Sequence, residues 1–199
     1  MDDSLSESLR RVEALKIGHA DSREDSTAEA LRQTAENQSA GSDARRSAFT
    51  RLAERSAGEP GLSEVILTLI DDPDIDLARD AIAAAPPFDG RVMARLRQLL
   101  DDARPSIWEA GAMALSRKKD HSILPIIVEW ARRGDRNHRR VGLSAVAFLL
   151  TPEPHLAFVE SVCEEGPRDD EDEAVLVSAL RVAELRVTFW RKALGEPEP

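Results

Sequence analysis

A chain of 199 residues, 42% hydrophobic and 32% charged, is long enough for one core-forming domain and short for two of ordinary size. Its 27 Lys and Arg against 37 Asp and Glu give a formal net charge of -10, a field that repels phosphate backbones and anionic membranes at long range. Aromatic residues make up only 4% with no Tyr, which disfavours an all-β sandwich or barrel; the single cysteine, Cys163, excludes an intramolecular disulfide and a cysteine-rich zinc site.

The chain opens Met1-Asp2-Asp3-Ser4, with no basic n-region and no apolar h-region, and no apolar run approaches a membrane span; the expectation is a cytoplasmic protein. Residues 1–41 carry nine acids against five bases and few large apolar side chains. Within them Leu5, Leu9, Val12 and Leu15 fall at helical spacing behind Ser4 and Glu7, a capping box, so an amphipathic helix is predicted over about 4–17, ending at Gly18. Ser26 and Glu29 offer a second box before Ala28, Leu31 and Ala35. This acidic segment is read as partly flexible, with one or two helices that either cap the following domain or serve as an interaction segment.

From Asp43 the chain is periodic on a longer scale. Leu69-Ile70-Asp71-Asp72-Pro73 returns about thirty residues later as Leu99-Leu100-Asp101-Asp102-Ala103-Arg104-Pro105. An Ala-rich apolar segment follows each turn: Leu77, Ala78, Ala81 and Ile82 in one copy, Ile107, Ala110, Gly111, Ala114 and Leu115 in the next. A third copy turns at Arg133-Gly134-Asp135 and continues through Val141, Gly142, Ala145, Val146 and Leu149. A fourth has Phe158, Val159 and Val162, a turn at Gly166-Pro167, then Val175, Ala179, Leu180 and Val182. A degenerate first copy uses Asp43, Ala48, Phe49 and Leu52. Fixed periods of this size mark stacked helical hairpins, because no single unit can bury its apolar face alone. Recurrent Ala and Gly mark the seams where adjacent helices approach closely. Ser106 with Glu109 and Thr151 with Pro152 read as helix starts.

The acidic turn followed by an Ala-rich helix, Asp71-Asp72-Pro73-Asp74 to Ala85 and Asp101-Asp102 to Leu115, resembles the short bacterial HEAT repeats also found in phycobilisome-lyase proteins. The resemblance covers about residues 43–185. It implies an all-α solenoid, a superhelix of about four to five stacked hairpins, here over residues 42–195; residues 196–199 are read separately as a disordered tail. It implies little about function, since such repeats serve scaffolds, regulators and a few enzymes alike. The Arg expected early in the second helix is offset or absent in the Trp108 copy, and the last repeat carries an acidic run in its turn.

The sharpest local feature is Ala131 to Arg140, where Arg132, Arg133, Arg136, Arg139 and Arg140 face one acid, Asp135. Arg forks bind carboxylates and phosphates bidentately, so one reading is recognition of an acidic partner. The other is compensation by the neighbouring turn from Glu164 to Glu173, with seven acids and one base. Trp108, early in a second helix beside an exposed turn, reads equally as partner anchor or core. Trp130 reads as core, and Trp190 as a cap on the last repeat's apolar face. His19, His121, His138 and His155 have no ligand-spaced companions, so no metal site is predicted. There is no nucleophile signature and no phosphate-binding Gly loop, and Cys163 reads as a structural thiol.

The expected function is therefore a non-enzymatic protein-protein interaction module, an adaptor or regulatory scaffold without cofactor. Its predicted partner-binding residues are Trp108, Arg132, Arg136, Arg139 and Arg140, and its partner a protein with an acidic segment. The alternative is a HEAT-like DNA-binding protein or an enzyme of the alkylpurine DNA glycosylase type. The net charge opposes that reading, because phosphate neutralisation needs a continuous basic stripe.

Overall fold

A computed structural model of the chain describes residues 28–55 and 60–195. The helix predicted over 4–17 lies outside the described residues. Among the described residues all regular structure is helical and no strand occurs. The chain divides into two compact units, Met1–Val92 and Met93–Pro199, with the division falling inside one helix.

The first unit contains α1 (residues 28–36), α2 (Ser42–Arg55), α3 (Pro60–Leu69), α4 (Ile75–Ala84) and the start of α5 (Gly90–Gln98). Leu31 and Ala35 are buried, as the helical spacing after Ser26 requires. Phe49, Leu52, Ile66, Leu69, Leu77 and Ile82 build its core, so the degenerate copy and the first clear copy both contribute their apolar positions. The acidic turn between α3 and α4 acts locally. Asp74 is the N-cap of α4 and accepts from Asp76 N and Leu77 N at 3.1 and 3.2 Å, satisfying donors that the helix leaves orphaned. Asp72 is buried against Arg45 of α2, whose Nη1 donates to its Oδ1 at 3.0 Å, while Arg45 Nε donates to the Ala35 carbonyl at 3.0 Å. A buried bidentate pair of this kind fixes register, because removing either partner strands the other charge.

The second unit holds the rest of α5, a 3-10 turn at Leu99–Asp101, α6 (Pro105–Arg117), a second 3-10 turn at His121–Ile123, α7 (Leu124–Arg133), α8 (Arg136–Leu149), α9 (Pro152–Glu164) and α10 (Asp170–Ala193). Helices α7 and α8 pack against each other, as do α9 and α10, and α8 also packs on α6. The small residues sit where the backbones meet. A Cβ on Gly142 of α8 would lie 2.5 Å from Ala131 N and 2.9 Å from the Ile127 carbonyl oxygen of α7, so only glycine allows that approach. Ala131, Leu143, Val159, Val162, Leu176 and Ala183 then close a common core over α7 to α10.

Two predicted helix starts differ in detail. Ser106 does not cap α6: Pro105 holds the first helical position, the N-cap is Arg104, and the preceding turn is held by Asp102, which accepts from Arg104 N at 2.9 Å. Thr151 is the N-cap of α9 but makes no side-chain bond there. At the far end, Trp190 and Phe189 are 39% and 68% exposed. The end of α10 still reaches the start of α9, Arg191 to Glu153 at 3.3 Å, but these two rings stay at the surface rather than closing an apolar face.

Candidate functional site

The Arg-rich segment straddles the end of α7 and the start of α8. Asp135 is the α8 N-cap, accepting from His138 N at 2.9 Å, and the same carboxylate meets His138 Nδ1 at 2.9 Å. Those bonds and the N-terminus of α8 hold the Asp135 carboxyl below its ordinary range, with the backbone bond from His138 the largest cause. Anchored in this way, the His138 ring stacks on Trp108 with centroids 4.2 Å apart, and Trp130 meets both rings edge-on at 5.2 and 4.8 Å. Trp108 is 6% exposed: it bridges α6 to the α7–α8 pair and offers almost no surface to a partner.

The cations of this segment meet acids one by one. Arg132 pairs with Glu165, donates to Ser161 Oγ at 2.8 Å, and lies over the Phe158 ring at 5.4 Å. Arg136 pairs with Glu171. Arg139, 2% exposed, places Nε 2.9 Å from Asp172 Oδ1 at an angle poor for a hydrogen bond, and its Nη2 finds no acceptor. Arg140 turns the other way, toward Glu109 of α6 at 2.8 Å. The one base of the acidic turn, Arg168, returns the connection by donating to the carbonyls of Gly134 and Arg132. Arg132, Arg136 and Arg139 thus meet the Glu164–Glu173 segment in the paired arrangement, and a partner would have to exchange with acids already in place. Exposed exchanges of that kind alter free energy by only ~0–1 kcal/mol each.

A second feature of the same unit is compensated only in part, at Arg140 by Glu109. Between α8 and α10 runs a groove of about 820 Å³. Its walls mix the small residues Ser144 and Ala147 on α8 and Ala174 and Ser178 on α10 with the larger Leu143, Phe148 and Val175, and Val182 stands on the lip. No carboxylate lines it, whereas Arg140, Lys119 and Arg186 do. In a chain of net charge -10 that is a local reversal of sign.

Each cation is held by the fold. Lys119 follows α6 with φ 61°, a left-handed conformation that favours glycine, and its ammonium donates to the Phe148 carbonyl at the end of α8. Arg186 donates Nη1 to His155 Nδ1 at 2.9 Å and Nη2 to the Leu150 carbonyl at 3.2 Å, and no carboxylate among the described residues pairs with it. His155 is 1% exposed, and burial, reinforced by the Arg186 charge, pushes its ring down from 6.5 to about 4. Since an Arg can only donate, the neutral imidazole accepts at Nδ1 and carries its proton on Nε2, which has no partner. Cys163 is partly buried, and burial raises its thiol above the ordinary range, so it is a poor nucleophile.

Arg140, which the sequence singles out as part of the Arg-rich turn, also lines this groove, whereas Lys119, His155 and Arg186 are not among the residues it singles out as partner-binding. The available signal was the i, i+4 row Ala174, Ser178, Val182, Arg186, three small or aliphatic residues ending in a cation on one face of α10. Val182, read as part of the apolar seam, is 46% exposed because it sits on the groove's lip. No group of three His, Cys, Asp or Glu that could hold a metal ion occurs among the described residues, and no described helix is long and apolar enough to cross a membrane. Compared with models of protein families the chain matches none, and no curated protein matches it.

Proposed function

We propose that this chain is a HEAT-like helical-repeat module of the cytoplasm that acts without catalysis, as an adaptor or regulatory scaffold, by binding a protein partner through an acidic segment. The observation that carries the reading is the α8–α10 groove: about 820 Å³, lined by small and larger apolar residues including Phe148, bordered by Lys119, Arg140 and Arg186 and free of carboxylates in its lining. Uncharged walls with a few fixed charges give a partner area to bury and an orientation to adopt. Arg132 and Arg136 lie outside the groove. Their exposed pairs with Glu165 and Glu171 would bear on encounter and orientation more than on affinity. Trp108 and Arg139 are buried and hold the helices of this unit together, through the Trp130–His138 stack and the Asp172 contact.

The test is a photo-crosslinkable residue placed at Val182, on the lip, with a matched control at Glu184, on an exposed part of α10 outside the groove lining. In the cell of origin the expected product is a discrete protein adduct formed from position 182 and absent from position 184. Adducts to nucleic acid or lipid alone, or equal labelling at both positions, overturn the reading.

A further inference from the structure

The groove's dimensions and charge placement narrow its occupant. The N-terminal ends of α8 and α10 lie together, since Arg139 reaches Asp172, and so do the end of α8 and the later turns of α10, since Arg186 reaches the Leu150 carbonyl. The two walls therefore run in the same direction. At 1.5 Å rise per residue, the stretch from residue 140 to 150 spans about 15 Å, and that from 172 to 186 about 21 Å. Along this length Ser144, Ala147, Ala174 and Ser178 alternate with Leu143, Phe148 and Val175 in the lining, so small side chains leave room for the ridges of a further helix and the larger ones supply apolar area to bury. The charges stand at the ends: Arg140 at one, Lys119 and Arg186 at the other, with an uncharged wall between.

We propose that the occupant is a single amphipathic α-helix of a partner protein, about three to four turns long, with its apolar face on the Ala147–Ser178 floor and carboxylates near both of its ends. This rests on the protein-binding reading of the groove and adds the form and charge pattern of what is bound. Charge complementarity selects acids. Arg186 and Lys119 are held by carbonyls and a neutral imidazole, so they can accept an anion without first releasing one. Arg140 shares Glu109 through a half-exposed contact that a second carboxylate can join. Spacing selects a helix. Nucleic acid would present phosphates along the whole uncharged wall, and a single-headed fatty carboxylate would answer the cations at one end only.

The experiment is a displayed library of 18-residue helices, with Leu fixed at i, i+4, i+7 and i+11 and the other positions drawn from Glu, Lys, Ala and Ser, selected on the full chain. Two variants serve as counter-targets: Val182→Lys, which charges the lip without touching the core, and Arg186→Glu, which reverses one end; circular dichroism checks that each folds. The expected result is enrichment of Glu beside the first and the last fixed Leu, about 16 Å apart along the recovered helices. Recovered peptides should bind tenfold or more weakly to each variant and several-fold more weakly at 500 mM than at 50 mM NaCl. Enrichment of Lys, equal binding to the variants, or no recovered helix overturns the proposal, as does dodecanoate that binds the groove where no helix does. A protein adduct from position 182 together with a failed selection removes the helix and keeps protein binding. Failure of both removes both.

Discussion

Arg139 and Asp172 form the most heavily buried ion pair of the second unit, at 2% and 6% side-chain exposure, and the two are not equivalent. Asp172 also accepts from Arg168 N at 2.9 Å and lies in the first turn of α10, where a negative charge is favoured. Arg139 has only Asp172 and a 3.4 Å contact to the Arg132 carbonyl, with Nη2 unsatisfied. Asp172→Ala strands a buried guanidinium and should cost about 3–5 kcal/mol in urea unfolding. Arg139→Met should cost clearly less, and the double variant Arg139→Met/Asp172→Leu should recover most of the loss; equal single-variant losses would show that the Asp172 backbone bonds carry no weight. His155 gives a pH test. Its folded pKa of about 4 lies below its unfolded value of 6.5, so the unfolded chain takes up the proton first. The contribution is fully present above pH 6.5 and is lost as pH falls toward 4. The urea midpoint of the native chain should therefore drop between those values more steeply than that of His155→Gln, and parallel profiles would refute a buried neutral ring.

At the scale of elements, the α7–α8 seam depends on one missing Cβ. Gly142→Ala gains about 1 kcal/mol of helix propensity, yet its methyl would meet the backbone of Ala131 and Ile127 at 2.5 and 2.9 Å, and neither can swing aside. The helices must separate, with a net loss of about 1–3 kcal/mol in thermal or urea unfolding. Gly111→Ala on α6 meets the Leu99 Cβ at 3.1 Å and the Leu96 carbonyl oxygen at 3.5 Å, a far milder approach that a shift of a few tenths of an ångström relieves, so with the helix propensity gained it should be nearly neutral. These two glycines also show what could be read beforehand. The period of about thirty placed both on inward faces, and the turns at Asp71–Asp74, Asp101–Pro105 and Arg133–Asp135 fall between helices as spaced, because caps and apolar periodicity are local. Which seam is tighter is not local; it depends on how closely the opposite backbone approaches. The same distinction separates Trp108 from Trp130 and His138. Each lies on a predicted helix or turn, but their stack needs α6, α7 and the Asp135 cap in place together.

For the whole molecule, the sign of the charge was legible and its distribution only in part. Counting residues gives -10, one Arg-rich knot and, about one period on, the acidic turn Glu164–Glu173 as a candidate to neutralise it. Folding brings Glu165, Glu171 and Asp172 to Arg132, Arg136 and Arg139, pairings some 33 to 35 residues apart that the period allows but that the residue count alone does not choose over a free patch. It leaves positive potential instead at Lys119 and Arg186, residues from α6's end and α10 that are unremarkable in sequence. The consequence for nucleic acid is direct. Duplex affinity comes from releasing counterions as several cations meet successive phosphates. Here three of the knot's cations already neutralise acids of the α9–α10 connection, and the groove's cations stand at its ends with an uncharged wall between. Titration of a labelled 20-base-pair duplex at 150 mM salt should therefore give no shift up to tens of micromolar protein, and lowering the salt to 50 mM should add at most weak binding that does not depend on sequence. A sequence-dependent complex at 150 mM would mean that the Glu165 and Glu171 pairs open to phosphate, and would restore the DNA-binding reading of the Arg132–Arg140 segment.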